Sequence, residues 1–180
     1  MVARGLGWML LTVLAGAATG QENPLAGAKA IADRGDWGCA IEVPQVLDGK
    51  PETNWNSGNM DLRVSPANLF LLLPEPRAIG TLVIQTLVSK TFLRLTDVEV
   101  YAAAAEGWTL LAEAKGNTLE TITLPLGAVV TDCLRIRLRD NLHPEHCWGV
   151  IVDLTASGPE PGLVPRRLAA APVPGESLGE

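Results

Sequence analysis

The sequence predicts an all-β protein, an antiparallel β-sandwich or jelly roll of about seven to eight strands. Its apolar residues come in short runs, the runs are separated by Pro, Gly, Asn and Asp, and several of them alternate apolar with polar side chains. The clearest is DCLRIRLRD, residues 132–140, where Leu134, Ile136 and Leu138 fall on one face and Arg135, Arg137 and Arg139 on the other. A period of two marks a half-buried strand. The three arginines are read as the solvated face of that strand rather than as a basic binding stripe, since each needs only water on its side.

Taken in chain order, the first residues, MVARGLGWMLLTVLAGAATG, place Arg4 before an apolar run from about Leu6 to Leu14 and then small residues. This is the form of a signal peptide over 1–20, removed between Ala17 and Gln21 on export. The run is too short to span a bilayer, and no second run is long enough, so no transmembrane segment is expected in the mature protein. Residues 21–38 form a lead segment in which NPLAGAKAIADRG, Asn23 to Gly35, is the one plausible short helix. NLFLLLPEP is an apolar run stopped by two prolines, and AIGTLVIQTLV begins just after it. DVEVYA, GWTLLAEA, LETITLPL, DCLRIRLRD and GVIVDLTAS supply the remaining strands. From Gly158 the chain is dense in Pro, Gly and Ala and lacks aromatic residues, so 159–180 is read as a flexible tail that buries too little to offset its entropy.

Hydrophobic residues make up 47% of the 180 and charged ones 19%, which suits one compact domain. A net charge of -6 and the absence of any Lys/Arg run exclude nucleic acid, because phosphate binding needs concentrated positive charge. Cys39, Cys133 and Cys147 all lie in the mature part, where an oxidising compartment permits one disulfide and leaves one thiol over. Spacing alone does not choose the pair.

The collinear set LDGKPETNWNS, NLFLLLPEPRAIGTLVIQT, LTDVEVYAAAAEGWTLLAEA, DCLRIRL and GVIVDLTASG resembles the discoidin domain, also called the coagulation factor V/VIII type C domain, of the galactose-binding-like jelly rolls. The resemblance covers about residues 39–158. It implies that the turn of Asp48, Gly49 and Thr53 folds back so that Trp55 fills the core, which agrees with a tight Asp-Gly turn stiffened by Pro51. Trp108 matches a strand Trp that packs rather than binds. The resemblance also implies a structural Ca²⁺ site of Asp48, Thr53 and Asp153, since such an ion takes hard oxygen ligands. Lys50 stands where the family often has an acid. A Cys39–Cys147 disulfide follows from the same likeness, with Cys133–Cys147 as the rival.

Ligands of such modules meet loops at one end of the sandwich. A sugar site needs an aromatic face and planar polar groups, and Trp37, Asn59, Lys90, Asn141, His143, His146 and Trp148 supply both kinds. His143, His146 and Cys147 also raise a Zn²⁺ reading, but Pro144 opposes the helix that would align them and a fourth ligand is not evident. Arg34 to Asp36 spells RGD, which is read as a solvated segment. No nucleophile elbow or cofactor motif is present, so no catalytic residue and no enzyme activity are expected. The expected function is an exported, secreted or periplasmic, non-catalytic module that binds carbohydrate. The alternative is a protein-binding or adhesive domain in an extracytoplasmic assembly.

Overall fold

A computed structural model describes residues 23–34, 41–58, 60–86, 94–105, 107–143 and 148–168. The strands are β1 (Lys29–Ala32), β2 (Ile41–Glu42), β3 (Trp55–Asn56), β4 (Ala67–Thr86), β5 (Leu95–Ala104), β6 (Gly107–Ala114), β7 (Thr121–Asn141), β8 (Val150–Ser157) and β9 (Arg166–Arg167). All but one of the pairings are antiparallel, and the helix among the described residues is a 3-10 turn at Pro44–Leu47. The fold is therefore the expected all-β sandwich. No helix among the described residues is long and apolar enough to cross a membrane.

Two of the expected strand pairs are in fact single bent strands. NLFLLLPEP and AIGTLVIQT join as β4, and LETITLPL and DCLRIRLRD join as β7. The prolines do not end β4 because they fall in a break of its ladder: pairing with β7 stops at Leu72↔Cys133 and resumes at Arg77↔Thr131. A missing N–H costs nothing where no partner strand waits for it. β7 makes its own irregularity at Gly127 and Ala128, both with positive φ, between the pairs Ile79↔Val129 and Thr81↔Pro125. The first half of β4 and the second half of β7 lie in one layer, ordered β2-β1-β4-β7-β5-β6. Their other halves form the second layer with β8, which pairs with β4 and carries β3. Residues such as Leu69, Leu71, Leu82, Ile84, Leu134, Ile136 and Leu138 are fully buried in one core.

The segment read as a helix is a strand. Lys29–Ala32 pairs with Leu72 through Leu69 of β4, burying Ala30 and Ala32. Alanine favours helix in isolation, but four residues gain too little from helix propensity to outweigh a sheet edge that offers both hydrogen bonds and burial. Leu25 joins the core as well, so the packed unit includes part of the expected lead segment. At the other end, Arg166 and Arg167 run parallel to Val129 and Val130 of β7, and Leu168 packs on the core. The stretch expected to be tail thus contributes one short pairing. The expected signal peptide and residues 169–180 lie outside the described residues.

Trp55 fills the core as expected. It is 2% exposed, and its indole N–H donates to the Arg34 carbonyl at 3.2 Å. Trp55→Ala should cost about 3–5 kcal/mol, the range for emptying a large aromatic site, read as a lower urea midpoint at unchanged slope; a midpoint like the parent's would contradict the packing.

Cys39 and Cys147 lie outside the described residues, and Cys133 carries a free, half-buried thiol, so the Cys133–Cys147 alternative is not formed. Burial, helped by the negative charge of Asp132, pushes that thiol up to about 11. Only the thiolate reacts, so iodoacetamide should label Cys133 far more slowly in the folded chain at pH 8 than in urea, and the folded rate should climb as pH approaches that value. Peptide mass mapping distinguishes it from the other two cysteines.

Candidate functional site

The strand ends gather one set of loops. β7 finishes at Asn141, which pairs with Leu95 at the start of β5. β4 begins at Ala67, paired with Leu138, and β1 ends beside it at Ala32, paired with Leu69. The described turns at this end are 57–58, 60–66, 141–143 and 148–149.

Hydrogen bonds between side chains and backbone hold the rim. The Ser57 amide donates to the Gly149 carbonyl at 2.9 Å, and the Gly149 amide donates back to Ser57 Oγ at 2.8 Å. Ser57 is fully buried, so this reciprocal pair satisfies groups that water cannot reach. A Cβ on Gly149 would come within 2.6 Å of Leu95 and 2.8 Å of Leu138, which explains glycine at this crossing. Across the rim, Asn141 Nδ2 donates to the Trp148 carbonyl at 2.5 Å while its Oδ1 accepts the His143 amide at 2.9 Å. Asn141 is 6% exposed, so its amide spans the loop from inside. His143 and Trp148 are half-buried on either side of it. The structure therefore brings Asn141, His143 and Trp148 together; Trp37, Asn59, Lys90 and His146 lie outside the described residues.

Arg34 departs from the solvated reading of the RGD segment. It is 7% exposed, and its guanidinium donates to Ser65 Oγ at 2.9 Å, to the Ser65 carbonyl and to the Met60 sulfur at 3.2 Å. Its carbonyl is the acceptor for Trp55. Arg34 thus ties β1 to the turn before β4 just above the buried indole. Sequence patterning gave no signal for this, because a polar tripeptide between turns looks the same whether it faces water or a neighbouring loop. Ser57, by contrast, ends the LDGKPETNWNS motif, so its place two residues after the core Trp55 is a signal the sequence does carry.

The Asp48 turn lies apart from this rim. Thr53 Oγ1 sits 3.0 Å from both Asp48 carboxylate oxygens, 3.0 Å from the Lys50 carbonyl and 3.4 Å from the Gln45 carbonyl. One hydroxyl proton can serve only one of these acceptors; the Lys50 carbonyl also accepts the Thr53 N–H at 3.2 Å, and the Asp48 carboxylate is open to water. Lys50 N–H donates to Asp48 Oδ1 at 2.9 Å, and the Lys50 side chain is exposed. Asp153 is half-buried on β8, level with Thr53 when the Trp55↔Ile151 register is continued by two residues. Among the described residues no hydrogen bond joins Asp153 to the turn, and no group of three His, Cys, Asp or Glu is placed to share a metal. A groove of about 270 Å³ borders the turn, lined in part by Lys29, Glu42, Pro44 and Asp48. It contains no aromatic side chain, so it lacks the surface on which a sugar ring stacks.

No family model and no curated protein matches this sequence. Solved structures do match the fold. The family 32 carbohydrate-binding module of Clostridium perfringens NanJ, solved in complex with galactose, superposes with a TM-score of 0.60 at 20% identity, covering 74% of this chain and 95% of that one. The two share a β-sandwich fold. A Clostridium perfringens family 32 module in complex with GalNAc-β-1,3-galactose matches at TM-score 0.60 and 16% identity, over 75% of this chain and 98% of that one. The family 32 module of Streptococcus pneumoniae EndoD matches at 0.58 and 16%, over 76% and 99%. These neighbours are galactose-binding-like jelly rolls related to discoidin, so the discoidin likeness reaches the shared fold and no further.

The reciprocal Ser57 and Gly149 bond is testable. Ser57→Ala leaves a buried N–H without an acceptor and should cost about 1–3 kcal/mol, visible as a lower unfolding midpoint; a Gly149 amide proton that exchanges no faster in the variant would contradict the assignment.

Proposed function

We propose that the chain is an exported, non-catalytic carbohydrate-binding module whose ligand meets the loop end of the sandwich. The observation that carries this reading is the rim itself, where the buried Asn141 side-chain amide ties the backbone of half-buried His143 to that of half-buried Trp148. An indole offers an apolar face to a sugar ring, and the imidazole offers a hydrogen-bonding group for a hydroxyl. The likeness to modules solved with galactose and with a GalNAc-terminated disaccharide supports galactose-type ligands. Trp37, Asn59, Lys90 and His146, which lie outside the described residues, are the further contacts proposed from the sequence.

The Asp48 turn is proposed to hold a structural Ca²⁺. The oxygens of Asp48, the Gln45 and Lys50 carbonyls and Thr53 fit a hard cation, and Asp153 would add a second carboxylate from β8. The ion would supply fixed charge that braces the loop leading into Trp55, and no chemistry.

A glycan array of terminal galactose and GalNAc probes tests the reading. Binding is expected for the parent and is expected to weaken on the order of tenfold or more in Trp148→Ala at an unchanged melting temperature; a folded parent that retains no glycan, or a Trp148→Ala variant that binds equally, sinks it. Adding EGTA should lower the melting temperature of the parent and leave Asp48→Ala unmoved; equal melting of the parent with and without the chelator removes the ion.

A further inference from the structure

The outer face of the β2-β1-β4-β7-β5-β6 layer is the expected polar surface at Arg137 and Arg139, but around Arg135 it is aromatic and apolar. Phe70 of β4 stands opposite Arg135 of β7, which stands opposite Tyr101 of β5, which pairs with Leu110 of β6. Trp108 and Leu72 occupy the next row, opposite Ala103 and Cys133. The Arg135 guanidinium lies 4.3 Å from the Tyr101 ring centre and 4.8 Å from that of Trp108. Phe70 closes on Trp108 at 5.8 Å, tilted by 47°. A cation over aromatic faces is stabilised by their quadrupoles, so Tyr101 and Trp108 frame Arg135 while Phe70 packs on Trp108. Beside this frame Leu72, Trp108 and Leu110 remain 38%, 39% and 48% exposed.

Among the described residues the cation in that frame has no counter-charge. Arg137 and Arg139 both reach Glu99, at 3.7 and 3.9 Å, and the Tyr101 hydroxyl also donates to Glu99 at 2.7 Å. Glu99 is thereby committed. Arg135 makes no hydrogen bond or ion pair with a described residue, and its Nε is closed off from water without a partner. A guanidinium held flat by two rings keeps its shape for a bidentate carboxylate contact.

From these observations we infer that this face is a docking surface for a polypeptide that presents a carboxylate to Arg135 beside apolar side chains for Trp108, Leu72 and Leu110. A sugar fits poorly here. Glu99 and the Tyr101 hydroxyl are already engaged with each other and with Arg137 and Arg139, and the rest of the patch, Leu72, Leu110, Cys133 and Ala103, is apolar, which suits the side chains of a polypeptide better than hydroxyl groups. Nucleic acid would bring many phosphates to a chain of net charge -6. The inference concerns a surface separate from the loop end, so it stands or falls independently of glycan binding.

The test is a phage-displayed random dodecapeptide library selected against the full chain. Selected peptides should combine Asp or Glu with Leu, Pro or aromatic residues. A synthetic copy of the strongest should lose on the order of tenfold or more in affinity against Arg135→Gln and against Leu110→Asp, weaken with salt, and bind Trp148→Ala as it binds the parent. Leu110 is half exposed, so its variant is expected to fold even where Trp108→Ala does not; melting curves check this. Peptides without acidic residues, equal binding to both face variants, or binding lost only in Trp148→Ala would overturn the inference. So would self-association in sedimentation that Leu110→Asp abolishes, which would make the occupant a second copy of this chain.

Discussion

Everything in this protein hangs on the ladder between β4 and β7. The two strands pair from Ala67↔Leu138 to Gln85↔Thr121, interrupted between Leu72 and Arg77 and again between Ile79 and Thr81 where they turn a corner, so each layer of the sandwich is built on one half of the same pair. A buried ladder cannot be cut without leaving backbone groups unsatisfied, which is why the corners are made with irregular register rather than with loops. Pro74 and Pro76 stand where β4 has no partner to bond. Gly127 takes the positive φ that most residues avoid, and Ala128 beside it pays a small steric cost for the same conformation.

Because the two layers share these strands, the space between them is determined, and Trp55 fills it from the side of β3. Its indole N–H needs an acceptor once it is buried, and the Arg34 carbonyl provides one. That bond draws the end of β1 over the core and places Arg34 against Ser65. The same closure brings Ser57 to Gly149 and so fixes the loop carrying Trp148. The rim is therefore an extension of the core's hydrogen bonding, built on the buried side chains of Ser57 and Asn141.

Much of this was legible beforehand. The alternation of Leu134, Ile136 and Leu138 correctly put those residues inside, and the discoidin resemblance, with which the Asp-Gly turn agrees, put Trp55 there too. Trp108 packs, as its strand position suggested, but it packs on the outer face against Phe70 and Arg135. Binary patterning tells which side of a strand a residue takes; it is silent on which strands lie beside it. For the same reason the arginines of β7 looked alike in sequence, yet Arg137 meets Glu99 and Arg135 meets two rings. The short AKAIA run carried no alternation of polarity strong enough to oppose its helix propensity, and only the neighbouring edge of β4 made it a strand.

The sequence by itself determined the class of fold, the apolar face of each long strand, the core indole and the oxygen-rich turn before it, because these follow from periodicity and local backbone preference within a few residues. Tertiary structure alone decided that four runs would become two bent strands, that Arg34 would be buried, and that Asn141 would bridge His143 and Trp148. Those outcomes depend on partners far along the chain, and the energy of a cross-strand contact has no trace in the residues on either side of it.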